Sequence, residues 1–370
     1  MRLRHPVWFV GLALGATIAQ GGHELPIYPS FYPHEIEIRT LAPGAAAEAL
    51  RAGQLQAYVG PGLSFPAKLP PDVQAIETLG AYVLLRINPE SARVKDAPCA
   101  ALAAVARDLG GRGDGVILHP YPVTPFHGDY LHHVDLTAAA KSRVSEANFP
   151  VGDLAIKASG DLAKYFPPSG DGFDVEIQEV DVAELIAANM MELNGFIAPP
   201  WLKDGWWHAL LALGEADSDD AQKQEIESDR RRLISGDVTG LADRINVARD
   251  LVRRLTTGCR SLVAGYTVKR EFVNVEFSAG IENIGYDSLS GLASPMFIRT
   301  VKLKDFPWNG WLMLGINARA TSAWNPVGGM ADPFGRLLWF AIGDPALVPA
   351  PYAAGFMLNR IADLPASTTP

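Results

Sequence analysis

What this sequence lacks narrows it first. Cysteine is nearly missing, with 2 in 370 residues, at Cys99 and Cys259. That removes a Cys-rich metal ribbon or a dense disulfide scaffold; the two thiols either pair in an oxidising compartment or stay buried and free. There is no basic excess. A formal net charge of −9 excludes a general nucleic-acid binder, whose footprint is a large positive surplus. Beyond the first twenty residues no apolar run is long enough to cross a bilayer, since residues 337–342 are bracketed by Arg336 and by Asp344 with Pro345. Catalytic signatures are absent as well: no G-x-S-x-G, no Walker loop and no H-E-x-x-H. Gly328-Gly329, ahead of Asp332-Pro333-Phe334-Gly335, follows a proline rather than a strand and reads as a structural turn. No catalytic residue is assigned.

What is present is ordinary globular material, 48% hydrophobic and 20% charged. The length exceeds what one core serves, so two lobes are expected. Arg2 and Arg4 precede an apolar stretch, residues 7–19, that ends with small residues at Thr17 and Ala19. This pattern predicts an export signal peptide over residues 1–19, cleaved after Ala19, and hence a periplasmic protein. The stretch falls short of the ~20 residues of a spanning helix.

A search for self-similarity finds one pattern twice. Residues 35–62 run EIEIRTLAPGAAAEALRAGQLQAYVGPG, and residues 174–201 run DVEIQEVDVAELIAANMMELNGFIAPPW. Each begins with a short alternating strand (Ile36 and Ile38; Val175 and Ile177). An Ala-, Leu- and Glu-rich helix follows, over 45–52 and 182–191, and then a second short strand from Leu55 or Leu193. Strand, helix and strand make a βαβ unit with parallel strands. Two such units predict two similar α/β lobes facing each other.

Further strands are expected at residues 73–74, 82–87, 272–277 and 297–303, and helices at 99–109, 206–213 and, as one or two amphipathic segments, 221–255. The organisation expected is a first part of lobe 1 over 20–110, lobe 2 over 111–215, and residues 216–370 as a helical segment and a C-terminal part. That part is aromatic and rich in Pro and Gly, and it completes lobe 1 or forms an extension.

The segment IAANMMELNGFIAPPW resembles the substrate-binding proteins of nitrate, bicarbonate and sulfonate ABC importers. Ile186, Ala188, Asn189 and Met190 match their helix, Gly195 and Phe196 their strand, and Pro200 with Trp201 their turn. LRAGQLQAYVGP is similar to their first-lobe pattern. Pro199 stands where the family has Glu, and Asn194 or Gln56 where its strand has Asp. The resemblance implies an α/β fold of two lobes, periplasmic-binding-protein-like (type II), that captures a small, anionic solute. A membrane permease of an ABC transporter would be its partner. Ligand contacts are then expected from Gly60 and Pro61, from Pro200, Trp201 and Lys203, and from the loop bearing His127, Asp129 and Tyr130, because strand ends present backbone N–H groups to a ligand.

Four of the eight histidines fall within residues 119–133: His119, His127, His132 and His133. Neutral imidazoles beside Asp129 suggest an alternative, a periplasmic protein holding copper or zinc through His119, His127 and His132. In the solute-binding reading no cofactor is expected. A third reading is an interaction subunit of a membrane or redox complex that docks through the aromatic C-terminal region.

Overall fold

The computed structural model describes residues 33–65, 68–112, 115–166, 172–190, 201–214, 219–276, 278–305, 310–321, 330, 332–343 and 345–359. The leader expected over 1–19, the second copy's closing strand from Leu193, and Pro200 lie outside the described residues.

The first repeat unit folds as its pattern implies. β1 (Glu35–Thr40) leads into α1 (Pro43–Arg51) and β2 (Ala57–Val59). The chain then enters β3 (Val73–Ile87), a single 15-residue strand where the sequence suggested two short ones. Gly80 and the polar Glu77 and Thr78 interrupt the apolar pattern at the point where β3 leaves one lobe for the other. There follow α2 (Pro98–Gly111), β4 (Ile117–Leu118), α3 (Val134–Glu146), β5 (Ile156–Ala158) and the second unit's β6 (Val175–Asp181) and α4 (Val182–Met190). Helices α5 (Gly205–Leu213), α6 (Asp220–Ser235) and α7 (Leu241–Leu255) precede the long return strand β7 (Ser261–Asn274).

Among the described residues of the C-terminal part, one expected strand is replaced by a helix. Beyond β8 (Ile281–Asn283), the strand foreseen at 297–303 is instead α8 (Pro295–Thr300) followed by the two-residue β9 (Lys302–Leu303). The Ser294 hydroxyl accepts the Phe297 N–H, and Pro295 opens the first turn, so capping overrides the β-branched composition. β10 (Trp311–Ile316), α9 (Pro333–Ile342) and a hairpin of β11 (Leu347–Pro349) and β12 (Phe356–Leu358) follow among the described residues.

One sheet runs through the molecule in the order β1-β10-β2-β7-β3-β6-β5, with β4 on β7. β1, β10 and β2 are mutually parallel, β5 is parallel to β6, and β7 is antiparallel to both β2 and β3. Side-chain alternation divides the buried residues into four cores, two per lobe, one on each sheet face. In the first lobe Val59, Ile76 and Val273 face one core, and Tyr58, Val73 and Phe272 the other. In the second lobe Tyr82, Leu84 and Val263 face helices α5 to α7, while Val83, Leu85 and Ala264 face α2. The fold is therefore α/β and two-lobed, with β3 and β7 as the long strands that cross between the lobes.

At the crossing the β3–β7 ladder slips between Leu79 and Tyr82, and the Ala81 N–H turns to the Thr267 hydroxyl at 3.1 Å. A Cβ at Gly80 would stand 2.9 Å from the Lys269 nitrogen, so glycine is what lets the two strands approach there. Cys99, in the first turn of α2, and Cys259, just before β7, are paired as a disulfide. No helix among the described residues is long and apolar enough to cross a membrane.

Candidate functional site

The directions of the parallel strands define a seam. β6 ends at Asp181 opposite Ala81, next to the crossing, and starts at Val175 opposite Ile87, far from it. β2 likewise runs toward the crossing, since Ala57 lies opposite Val273 and Tyr58 opposite Phe272. The carboxyl ends of β1, β10 and β2 from one lobe, and of β5 and β6 from the other, thus point into the same strip. Ligands of open α/β sheets are held at such ends.

At the end of β2, Gly60 adopts φ +141°, and a Cβ there would lie 2.6 Å from that of Asn317. Its N–H donates to Glu271 Oε1 at 3.3 Å. Pro61 beside it is exposed. Glu271 is 1% exposed and ties three segments together. Its Oε1 also meets Lys269 Nζ at 3.1 Å, and its Oε2 accepts the Leu292 N–H at 2.6 Å. The loop over 286–292 lies across the seam, with Leu289 in a second-lobe core and Leu292 in a first-lobe core. Thr78 Oγ1, Ser288 Oγ and Asn317 Oδ1 are buried here without a hydrogen-bond partner.

Lys203, expected to offer a free charge, is buried. Its ammonium pairs with Asp287 of the seam loop and donates to the Ala350 carbonyl. Trp201 is half-buried and packs on the second-lobe core that holds α5 to α7.

The histidine-rich loop folds inward. His127 Nδ1 accepts the Thr124 N–H at 2.8 Å, and its Nε2 lies 3.1 Å from Tyr82 Oη. Tyr82 in turn donates to the Pro122 carbonyl at 3.0 Å, and His208 Nδ1 lies 3.3 Å from the same Oη. Burial pushes His127 well below its usual range, with His208 nearby adding to the effect, and brings His208 down to about 4. His119 contacts the Val123 carbonyl through Nε2 at 2.9 Å, with Tyr266 packed edge-on against its ring and Tyr130 tilted beside it. His132 is exposed. Among the described residues no group of three or more His, Cys, Asp or Glu side chains is arranged to hold a metal ion. His119 and His127 are placed as hydrogen-bonded core residues.

Asp129 differs. Its Oδ1 accepts the Gly205 N–H at 2.8 Å at the start of α5, while its buried Oδ2 has no hydrogen-bond partner. Burial, and then the charge of Asp204, raise its pKa to about 7. His133 lies 3.7 Å away through Nε2, and burial holds it at about 4.

These buried imidazoles set an acid limit. His208 stays neutral in the fold down to about pH 4, whereas the unfolded chain takes up its proton below about 6.5. Its contribution is complete above pH 6.5 and is lost as pH falls through 4, to about 3 kcal/mol. Asp129 runs the opposite way, because the fold retains its proton from about pH 7 downward and gains stability over the same window. His208→Gln is expected to flatten the fall of the urea midpoint between pH 6.5 and 4; an unchanged slope would remove His208 from this role.

Sequence reasoning missed Glu271, Asp204, Arg244 and Asp287. No family model matches the chain, and no curated protein matches it. Solved structures do resemble it. The periplasmic EDTA-binding protein EppA is 9% identical over 67% of this chain and 54% of its own, with a TM-score of 0.37. NikZ from Campylobacter jejuni, in complex with Ni(L-His), is 12% identical over 66% and 56%, with a TM-score of 0.35. The periplasmic binding protein DppA from Helicobacter pylori, in complex with the peptide STSA, is 15% identical over 72% and 56%, with a TM-score of 0.40. The chain thus spans little more than half the length of each. Their descriptions name EDTA, nickel-histidine and a peptide rather than nitrate, bicarbonate or sulfonate. At these identities and TM-scores the likeness decides neither ligand nor partner.

Proposed function

We propose that the chain is an extracytoplasmic solute-binding protein whose lobes close on a small molecule at the seam and deliver it to the permease of an ABC-type importer. The observation that carries this reading is the convergence of parallel strand ends from both lobes on a strip crossed by the long strands β3 and β7. Two crossing strands that slip at Gly80 suit a hinge, and differential affinity for the closed state is all that binding needs. A disulfide between Cys99 and Cys259 suits an oxidising compartment. The anion expected from the strand ends fits less well. Glu271 places a carboxylate beside Gly60, and Lys203 is already engaged with Asp287. The ligand is read here as a small polar solute.

A thermal-shift panel of oxyanions, sugars, amino acids, short peptides and chelated metals tests this. At one hundred times its Kd, a true ligand adds about 2.7 kcal/mol to stability. It should also compact the protein in small-angle scattering. Gly60→Val, which crowds Asn317, is expected to abolish both responses. Failure of every panel member to raise the melting temperature or to compact the protein would overturn the proposal.

A further inference from the structure

β3 and β7 are not the whole connection between the lobes. The hairpin of β11 and β12 is carried by the first lobe. There β11 lies against α8, and Val348 is buried. Arg299 of α8 donates to the Gly343 carbonyl at 2.8 Å, ahead of the hairpin. The Tyr352 ring stands edge-on to Tyr286 with 5.8 Å between centroids, and Tyr286 packs on a first-lobe core.

The turn of the hairpin reaches the other lobe. Its first residues sit beside the crossing, where Lys203 holds the Ala350 carbonyl and the Ser288 N–H donates to that of Pro351. Ser288 in turn accepts the Leu79 N–H from β3 at 3.4 Å. Farther on, the backbone of residues 352–354 covers Gly128, whose loop packs on a second-lobe core through Phe126 and Tyr130. A Cβ at Gly128 would stand 3.0 Å from Ala353 Cα, 3.3 Å from the Ala354 nitrogen and 3.4 Å from the Tyr352 carbonyl oxygen. Those three nearest atoms are all hairpin backbone. Gly128 is not among the positive-φ glycines, so its own conformation would accept a side chain. Glycine is needed there because the hairpin presses on it.

An element rooted in one lobe and seated on the other responds to their separation. Rotation about the crossing leaves the Lys203 contacts near the axis and draws the turn off Gly128. We propose that the hairpin turn is a closing strap, seated on Gly128 only when the lobes are shut and favouring that state before any solute arrives. The strap deepens the solute-binding reading and rests on its hinge. The seat is backbone packing without charge, a clasp that a hinge motion can undo.

Nitroxide labels on Glu48→Cys of α1 and Lys141→Cys of α3, both exposed positions, report the distance between lobes in the full chain without ligand. Two maxima are expected, one of them matching the closed arrangement. Gly128→Leu wedges the strap from its seat and should lower the ratio of closed to open molecules about tenfold. Tyr352→Ala frees the strap at its root from an exposed position, and it should shift the ratio the same way and decide the matter if Gly128→Leu fails to fold. Leu255→Ala, in the second-lobe core, is expected to lower the melting temperature and leave the ratio alone. A ratio unchanged in the strap variants, a single maximum that they retain, or an equal shift in Leu255→Ala would each overturn the strap. No ligand enters this measurement, so failure of the thermal-shift panel counts against the solute-binding proposal, and unaltered distances count against the strap.

Discussion

Lys203→Met is expected to cost the fold about 3–5 kcal/mol, because it strands a buried carboxylate. Lys203 and Asp287 are 6% and 4% exposed, so neither charge has water to fall back on. Asp287 does more than balance Lys203. Its Oδ1 accepts the N–H groups of Leu289 at 2.9 Å and Ser290 at 3.0 Å, shaping the loop that lies across the seam. The lysine joins that loop to the C-terminal hairpin through the Ala350 carbonyl, and the Ser288 N–H donates to Pro351 at 2.9 Å. Urea denaturation should show the loss, and hydrogen exchange should quicken in residues 286–292. The double variant Lys203→Met with Asp287→Asn is expected to recover much of it, since the neutral amide removes the stranded charge while its Oδ1 still accepts the Leu289 and Ser290 N–H groups. A single-variant loss under 1 kcal/mol would mean the pair is not buried in solution.

The second large effect belongs to the disulfide. Cys99 and Cys259 are separated by 160 residues in sequence. Closing a loop of that length restricts the unfolded chain by about 5 kcal/mol in the chain-entropy account. Cys99→Ser, or reduction of the native protein, should lower stability by up to that amount and the melting temperature by on the order of 10 °C. Thiol titration of the unfolded, unreduced protein should find no free thiol. Two free thiols, or a melting temperature indifferent to reductant, would sink the prediction.

Parts of this were legible in the residues. The β1–α1–β2 unit announced itself through Ile36 and Ile38, an Ala-rich helix and a glycine at its end, all local signals. β10 was not legible, because GWLMLGI is bordered by glycine, tryptophan and proline and reads as a loop until its neighbours β1 and β2 are known. β3 looked like two strands because Gly80 marks a crossing between lobes, which is a tertiary circumstance. The loop around His127 and Asp129 stood out by composition, but what those side chains do depended on Tyr82, Asp204 and His208, far away in sequence. Lys203 looked free for the same reason: nothing in WLKDGWW discloses an aspartate 84 positions later. Glu271, inside KREFVNVEF, alternates as a solvent-facing residue would, yet its carboxylate is buried where β2 meets the 286–292 loop.

The placement of β10 between β1 and β2 bears on how the protein is made. β1 cannot pair with β10 until residue 316 has been made, whereas β2 gains its other neighbour, β7, once residue 273 has been made, and residues 79–268 carry most of both core faces of the second lobe. Chain order therefore supplies the middle of the molecule first, and the edges of β1 and β2 that face β10 stay unmatched until residues 311–316 are available. That interval is when a holdase is most useful to this chain.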